Sequence, residues 1–303
     1  MVMSWFSFGL ILFGLSWAIT GIYRAHAMSK GYVDQPNARS SHLVVTPRGG
    51  GAVFSLLWVL LLVVSVYLGW VHPTLLGVFL PALLVIGVGF KDDMHSVPAW
   101  VRLLVQTIAA LISLYFIQVG SIQFLPGFHL TEWMSFGLIL LAVLWMTNLI
   151  NFMDGSDGLA ATEGMIVLGS AALFLTWTYG YYCHSLTILA FGMVFLLSGF
   201  LAWNWPKASL FMGDSGSGFL GYIIGIFALV SYKWYNMPLE IWVILTGMFW
   251  FDATVTLGRR ILARENWTKP HCLHAYQRLI HGGWSHLGVL VASVFVNSVL
   301  VLL

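Results

Sequence analysis

Charge is what this chain most lacks: Asp, Glu, Lys and Arg together make up 8% of its 303 residues. A soluble domain of ordinary composition carries about 25%, so this chain has too little polar surface to face water on all sides. Cysteine is nearly absent too, at two residues, which excludes a disulfide framework. The net charge of +2 is too small to point to a partner, and no nucleic-acid partner is expected. No internal repeat, low-complexity tract or long linker divides the sequence, so a single membrane domain over residues 1–303 is expected. What is present in excess is apolar, at 59% of residues with a mean hydropathy of +0.89. Such a chain has lipid as its natural solvent. Its many Trp and Tyr residues fit the interfacial belts of a bilayer.

A bilayer core needs about 20 helical residues to cross it. Apolar stretches of that kind occur near 3–23, 52–71, 74–90, 99–119, 133–150, 164–182, 185–204, 216–233, 237–257 and 285–303. The stretch 185–204 has candidate breaks at Gly192 and Gly199, and the first lacks the basic n-region and small-residue cleavage site of a signal peptide. The fold class expected is therefore an all-α integral membrane protein of about ten spans.

Placing the odd-numbered connections in the cytoplasm gathers Arg24, Lys30, Arg39, Arg48, Lys91, Arg102, Lys207, Arg259, Arg260, Arg264, Lys269 and Arg278 on that side. Only Lys233 falls on the other, a strong positive-inside asymmetry. Both termini are then periplasmic, and Cys183 and Cys272 lie on opposite sides. Acidic residues are as one-sided, although they contribute little to topology. A cytoplasmic active site accounts for that.

Five polar islands interrupt the apolar pattern. The first, DQPNARSSHLVVTPRGGG, offers Arg39, His42 and Arg48 as phosphate donors, or else anchors the bilayer surface as a basic loop. Its three glycines allow close approach of a ligand or a neighbouring helix. The second, GFKDDMHS, sets Asp92 beside Asp93, two carboxylates that repel unless a cation or several donors satisfy them. Magnesium on substrate phosphates is the usual solution for such carboxylates. The third, NLINFMDGSDGLAATEG, spaces Asn148, Asn151, Asp154 and Asp157 three apart, on one slowly turning face if the helix continues. Polar groups at the end of a membrane helix point to a functional site. The fourth, SLFMGDSGSGFLG, puts Asp214 before a span, with Ser215 and Ser217 as candidate caps and the helix start as a candidate anion site. The last carries Arg259, His271, His274 and Arg278; its H-x-x-H lacks a convincing zinc ligand set, so donation to phosphate or to a uracil or sugar group is expected. Asp252 pairs with a nearby arginine or contacts substrate.

In this order the islands PNARSSH…TPRGGG, GFKDD, NLINFMDGSDGLA, FMGDSGSGFLG and the late histidines resemble the polyprenyl-phosphate N-acetylhexosamine-1-phosphate transferase family, over nearly the whole chain. The resemblance implies ten transmembrane helices around a cytoplasm-facing cleft in the bacterial inner membrane. It implies catalytic roles for Asp92, Asp93, Asp154 and Asp157. It makes Asp214 the foremost ligand of Mg2+ (or Mn2+), with Asn151 or Asp154 nearby. Substrate contacts fall to Arg39, His42, Arg48, Asn148, Arg259, His271, His274 and Arg278. The partners implied are undecaprenyl phosphate, a UDP-N-acetylamino sugar and membrane lipids, with a homodimer left open. The sequence DDMHS lacks the lysine of the peptidoglycan branch, and HCLHAYQRL replaces its consecutive histidines. Both differences argue against the MurNAc-pentapeptide substrate, and the AYQR element resembles the branch that initiates O-antigen or other lipid-linked glycans. A transporter or flippase is the rival class, though the polar residues form no ladder across the membrane.

Overall fold

In a computed structural model the chain is described at residues 5–36, 44–121, 123–125, 128–129, 131–180, 185–265 and 272–303. Helices dominate. In chain order they are α1 (Trp5–Lys30), α2 (Gly51–Tyr67), α3 (Thr74–Phe79), α4 (Ala82–Met94), α5 (Ala99–Ile117), α6 (Glu132–Met153) and α7 (Leu159–Tyr179). There follow α8 (Ser185–Asn204), α9 (Asp214–Tyr235), α10 (Leu239–Leu245), α11 (Gly247–Leu262), α12 (Ala275–His281) and α13 (His286–Leu302). Two short antiparallel hairpins complete the described elements: β1 (Val33–Asp34) with β2 (Thr46–Pro47), and β3 (Gln123–Leu125) with β4 (Phe128–His129).

Among the described residues, seven spans are long and apolar enough to cross a membrane, counting α3 with α4 as one. The pair α10 and α11 makes an eighth, and α2 and α13, at 17 residues each, are shorter apolar helices. The chain is thus an all-α, multi-pass membrane protein. The elements depart from the sequence reading in places: α1 runs on to Lys30, past the expected end near 23, and the 74–90 stretch is divided between α3 and α4. The 185–204 stretch is one unbroken helix, α8, because its glycines admit neighbours rather than bend the chain: a Cβ at Gly199 would lie 2.5 Å from the Phe13 carbonyl oxygen. The 237–257 stretch is instead broken at Thr246, where α10 and α11 diverge by 77°. And α7 begins at Leu159, a turn before the expected start.

Helix α9 is the axis of the bundle, buried on nearly every face and packed by α2, α4 and α6. Beside it the rings of Trp58 and Phe79 meet edge-on at 5.3 Å, and Phe79 and Phe227 lie 5.1 Å apart. The Trp58 indole N–H donates to the Leu189 carbonyl at 2.9 Å, so the largest core side chain carries no unpaired donor. Around this core the C-terminal ends of α4, α6 and α8 and the N-terminal ends of α5, α7, α9 and α13 converge, and the polar islands meet there.

Candidate active site

The start of α9 organises this polar end. Gly213 takes a φ of +75°, a left-handed value that suits glycine, and a Cβ there would fall 2.4 Å from Asp93 Oδ1. The free N–H groups at a helix start demand an acceptor. Ser215 and Ser217, the expected caps, do not supply it. The acceptor is the carboxylate of Asp93, from the end of α4: Asp214 N–H donates to Oδ1 at 2.8 Å and Ser215 N–H to Oδ2 at 3.1 Å. Ser215 Oγ adds a 2.7 Å bond, and Arg48 reaches Oδ1 at 2.9 Å through Nη2 and 3.3 Å through Nε. The helix start is therefore an anion site whose anion is the protein's own. Burial alone would lower the Arg48 pKa, but Asp93, Asp214 and Asp34 together outweigh it and hold the guanidinium above its usual value.

Asp92, its neighbour, faces a different partner. Arg102, in the first turn of α5, lies 2.9 Å from Asp92 Oδ2 and also pairs with Asp214. The paired aspartates thus avoid mutual repulsion by having separate cations. Arg102 enters the sequence reading only through its sidedness. A charged residue inside an apolar stretch is the signal that could have found it.

The third island ends a helix rather than continuing it. Asn148 and Asn151 share a face of α6, where Asn148 Nδ2 donates to Gln106 Oε1 at 3.0 Å and Asn151 Nδ2 to Ser217 Oγ at 2.9 Å. Helix α6 stops at Met153, and the expected single face dissolves beyond Asp154. Asp157 turns inward, accepting from Ala208 N–H at 3.0 Å, with His286 Nδ1 3.6 Å from its other oxygen. His286 Nδ1 also accepts from the Asp157 backbone N–H at 3.2 Å. Asp154 is different: its carboxylate accepts no hydrogen bond from another described residue. Burial, then the charges of Asp214, Asp93 and Asp157, push its pKa well above the usual carboxylate range.

Backbone joins the islands as well. Gly50 and Gly51 N–H donate to the Phe211 and Met212 carbonyls at 3.0 and 2.8 Å, so the triple glycine of the first island approaches neighbouring backbone. From the last island, Tyr276 Oη donates to the Phe152 carbonyl at 3.2 Å, directly over Gly155, where a Cβ would lie 2.1 Å away. Asp252 pairs with the α12 start instead of an arginine: Ala275 N–H donates to it at 2.9 Å, and His274 Nδ1 lies 3.6 Å away. Of the nearby arginines, Arg260 pairs with Glu265 at 3.1 Å. His274 is accordingly buried, whereas Arg259 and Arg278 are exposed. Arg39, His42, His271 and Cys183 lie outside the described residues.

The structure therefore brings Arg48, Asp92, Asp93, Asn148, Asn151, Asp154, Asp157 and Asp214 to one end of the bundle, with Arg102 and His286 added. Arg259 and Arg278 make no such contact among the described residues. Nor do three His, Cys, Asp or Glu side chains among them form a ready-made metal cage there. The donors are hard oxygens, in which one or two carboxylates suit Mg2+ completed by water and phosphate better than a closed protein site.

A membrane-embedded bundle with a carboxylate-rich end is the class of protein this fold and site define. The profile of glycosyl transferase family 4 matches residues 75–232, a segment running from before Asp92 to beyond Asp214, and the chain belongs to that family. It is 34% identical over 285 residues to a Bacillus subtilis protein named "Probable undecaprenyl-phosphate N-acetylglucosaminyl 1-phosphate transferase", covering 90% of this chain and 76% of the relative. It is 30% identical to a Mycobacterium tuberculosis decaprenyl-phosphate N-acetylglucosaminephosphotransferase, covering 93% and 78%. A Thermotoga maritima undecaprenyl-phosphate alpha-N-acetylglucosaminyl 1-phosphate transferase is 26% identical, covering 92% and 84%.

Proposed function

We propose that the protein transfers an N-acetylamino-sugar 1-phosphate from a UDP-sugar to undecaprenyl phosphate, releasing UMP and starting a lipid-linked surface glycan such as O-antigen. The observation that carries this reading is the gathering of Asp92, Asp93 and Asp214 around the start of α9, with Arg48 and Arg102 between them and Asn151 beside Ser217. Such crowding is costly for the resting protein and is relieved by a bound cation. Three relatives named for a polyprenyl phosphate and N-acetylglucosamine support the acceptor and make UDP-N-acetylglucosamine the first donor to try. The lysine and arginine asymmetry supports ten spans, with the polar end in the cytoplasm and both termini outside it. Polar contacts gathered at one end favour an enzyme over a translocation path.

Asp214, Asp154 and the Asn151 amide oxygen would hold Mg2+, which when bound supplies charge neutralisation on the diphosphate and the departing UMP. The chain's own residues do the rest. An oxygen of undecaprenyl phosphate forms a bond to the sugar-bound phosphorus, and the bridge to UMP breaks, UMP leaving with that electron pair. Arg102, already set between Asp92 and Asp214, releases N–H donors toward the incoming diphosphate. Asp93 holds α9 and Arg48 in place, its oxygens being committed to Arg48, Asp214 N–H and Ser215. No base is needed for the acceptor: a phosphate monoester with a second pKa near 6 is roughly nine-tenths dianionic at pH 7. Purified protein incubated with undecaprenyl phosphate, Mg2+ and a panel of UDP-amino sugars should release UMP only when lipid and metal are both present, and Asp214→Ala should abolish it. Absence of release with every donor from folded protein would refute the reading.

A further inference from the structure

One buried acid plays no part in that scheme. Glu163, in the second turn of α7, is 1% exposed, and Asn297 of α13, 2% exposed, donates its Nδ2 to Glu163 Oε2. Among the described residues Glu163 forms no ion pair, and two further atoms there, Glu163 Oε1 and Asn297 Oδ1, are buried acceptors with no hydrogen-bond partner. A carboxylate and an amide together leave that same shortage, two acceptors facing inward and no donor for either. A single proton on Oε1 removes it, because a carboxylic acid and a primary amide close a ring of two hydrogen bonds.

We propose that Glu163 is a neutral acid locked to Asn297 in this two-bond ring, and that the ring is a positioning device for the Asp154–Gly158 loop. The device has two points. Inside the bundle, the ring fixes α13 against α7. At the polar end, the same helix α13 presents His286, whose Nδ1 accepts from Asp157 N–H at 3.2 Å and lies 3.1 Å from Ser156 Oγ. Asn297 and His286 are eleven residues apart, three helical turns, and so share the face of α13 that meets α7. The loop carrying Asp154 is thereby tied to a helix that supplies none of the carboxylates. Glu163 and Asn297 touch no substrate; they act through that loop.

The test uses Glu163→Gln, Glu163→Ala and Asn297→Leu in the full-length protein. Glutamine can close the same ring with asparagine without a proton. Glu163→Gln should therefore keep its melting midpoint within about two degrees of wild type, its kcat within about twofold and its pH profile unchanged. Glu163→Ala and Asn297→Leu should melt lower and lose about tenfold or more in kcat with little change in KM, as expected when a reacting group is misplaced. A wild-type-minus-Glu163→Gln infrared spectrum should show a protonated-carboxyl C=O band at neutral pH. Absence of that band, a Glu163→Gln variant as impaired as Glu163→Ala, or a Glu163→Ala variant indistinguishable from wild type would each overturn the proposal. The turnover arm rests on the transferase reading. Infrared and melting do not, so a wild-type protein releasing no UMP would sink that reading while these two arms still decide the pairing.

Discussion

Asp93→Asn separates architecture from chemistry at this site. Asp93 neutralises Arg48 and caps α9 across 121 residues of sequence. Removing one member of a buried ion pair costs about 3–5 kcal/mol. The Arg48 side chain is 30% exposed, so water recovers part of that, and about 2 kcal/mol is the better figure. Losing the anionic cap adds about 1 kcal/mol. The substituted carboxamide keeps one acceptor oxygen but turns an NH2 toward donors, so little is regained. The sum, about 3 kcal/mol, corresponds to a fall of roughly 5 °C in melting midpoint for a chain of this length. Thermal unfolding in detergent at neutral pH reads it directly, with Asp214→Asn as the comparison, expected to melt no lower than wild type while losing UMP release. A cycle of Arg48→Ala, Asp93→Asn and the double variant should give a coupling of at least about 1 kcal/mol. If Asp93→Asn melted like wild type yet lost turnover, the assignment of Asp93 to anchoring rather than chemistry would be refuted.

Asp154→Asn should have the opposite effect on stability. Because its carboxyl has a raised pKa, the folded protein keeps a proton that the unfolded chain releases above its ordinary value near 3.9, so stability falls as pH rises through that window. In chelator, the variant should melt above wild type at pH 7–8 and converge with it below about pH 4; parallel curves would contradict this. Gly155→Ala should destabilise through its 2.1 Å approach to Tyr276 Oη, and adding Tyr276→Phe, which removes that atom, should recover part of the loss in the same melting assay. Arg102→Ala should raise the KM for the UDP-sugar by about tenfold, the order expected from losing a charge-assisted hydrogen bond, and should also lower the melting midpoint, because Asp92 and Asp214 lose their shared cation.

Much of the fold could be read from the sequence because lipid imposes a simple rule, long apolar helices with polar residues at their ends. The rule fails where length is not the deciding quantity. At Thr246 hydropathy continues while the backbone turns, and at Gly192 and Gly199 glycines that look like hinges are contact points. The residues of the site were legible as types and in order, but not their division of labour. Asp92 and Asp93 are adjacent in sequence yet serve Arg102 and Arg48 respectively. The three-residue spacing of Asn148, Asn151, Asp154 and Asp157 suggests one face, whereas a helix end at Met153 splits it. The contacts of His286 and Asn297 are not legible because a lone polar residue in an apolar stretch has no motif around it, and its partners lie in the loop before α7 and in α7 itself.

The cap that Asp93 places on α9 also has a bearing on how the protein is made. When α4 emerges during synthesis, its terminal carboxylate has no helix start to receive it, since Asp214 and Ser215 lie 121 and 122 residues further on. At about 5–20 residues per second, that wait lasts on the order of ten seconds. During it, Arg48 and Asp93 can meet, but the axis of the bundle is missing. The polar end is therefore complete only once α9 has joined the helices that precede it.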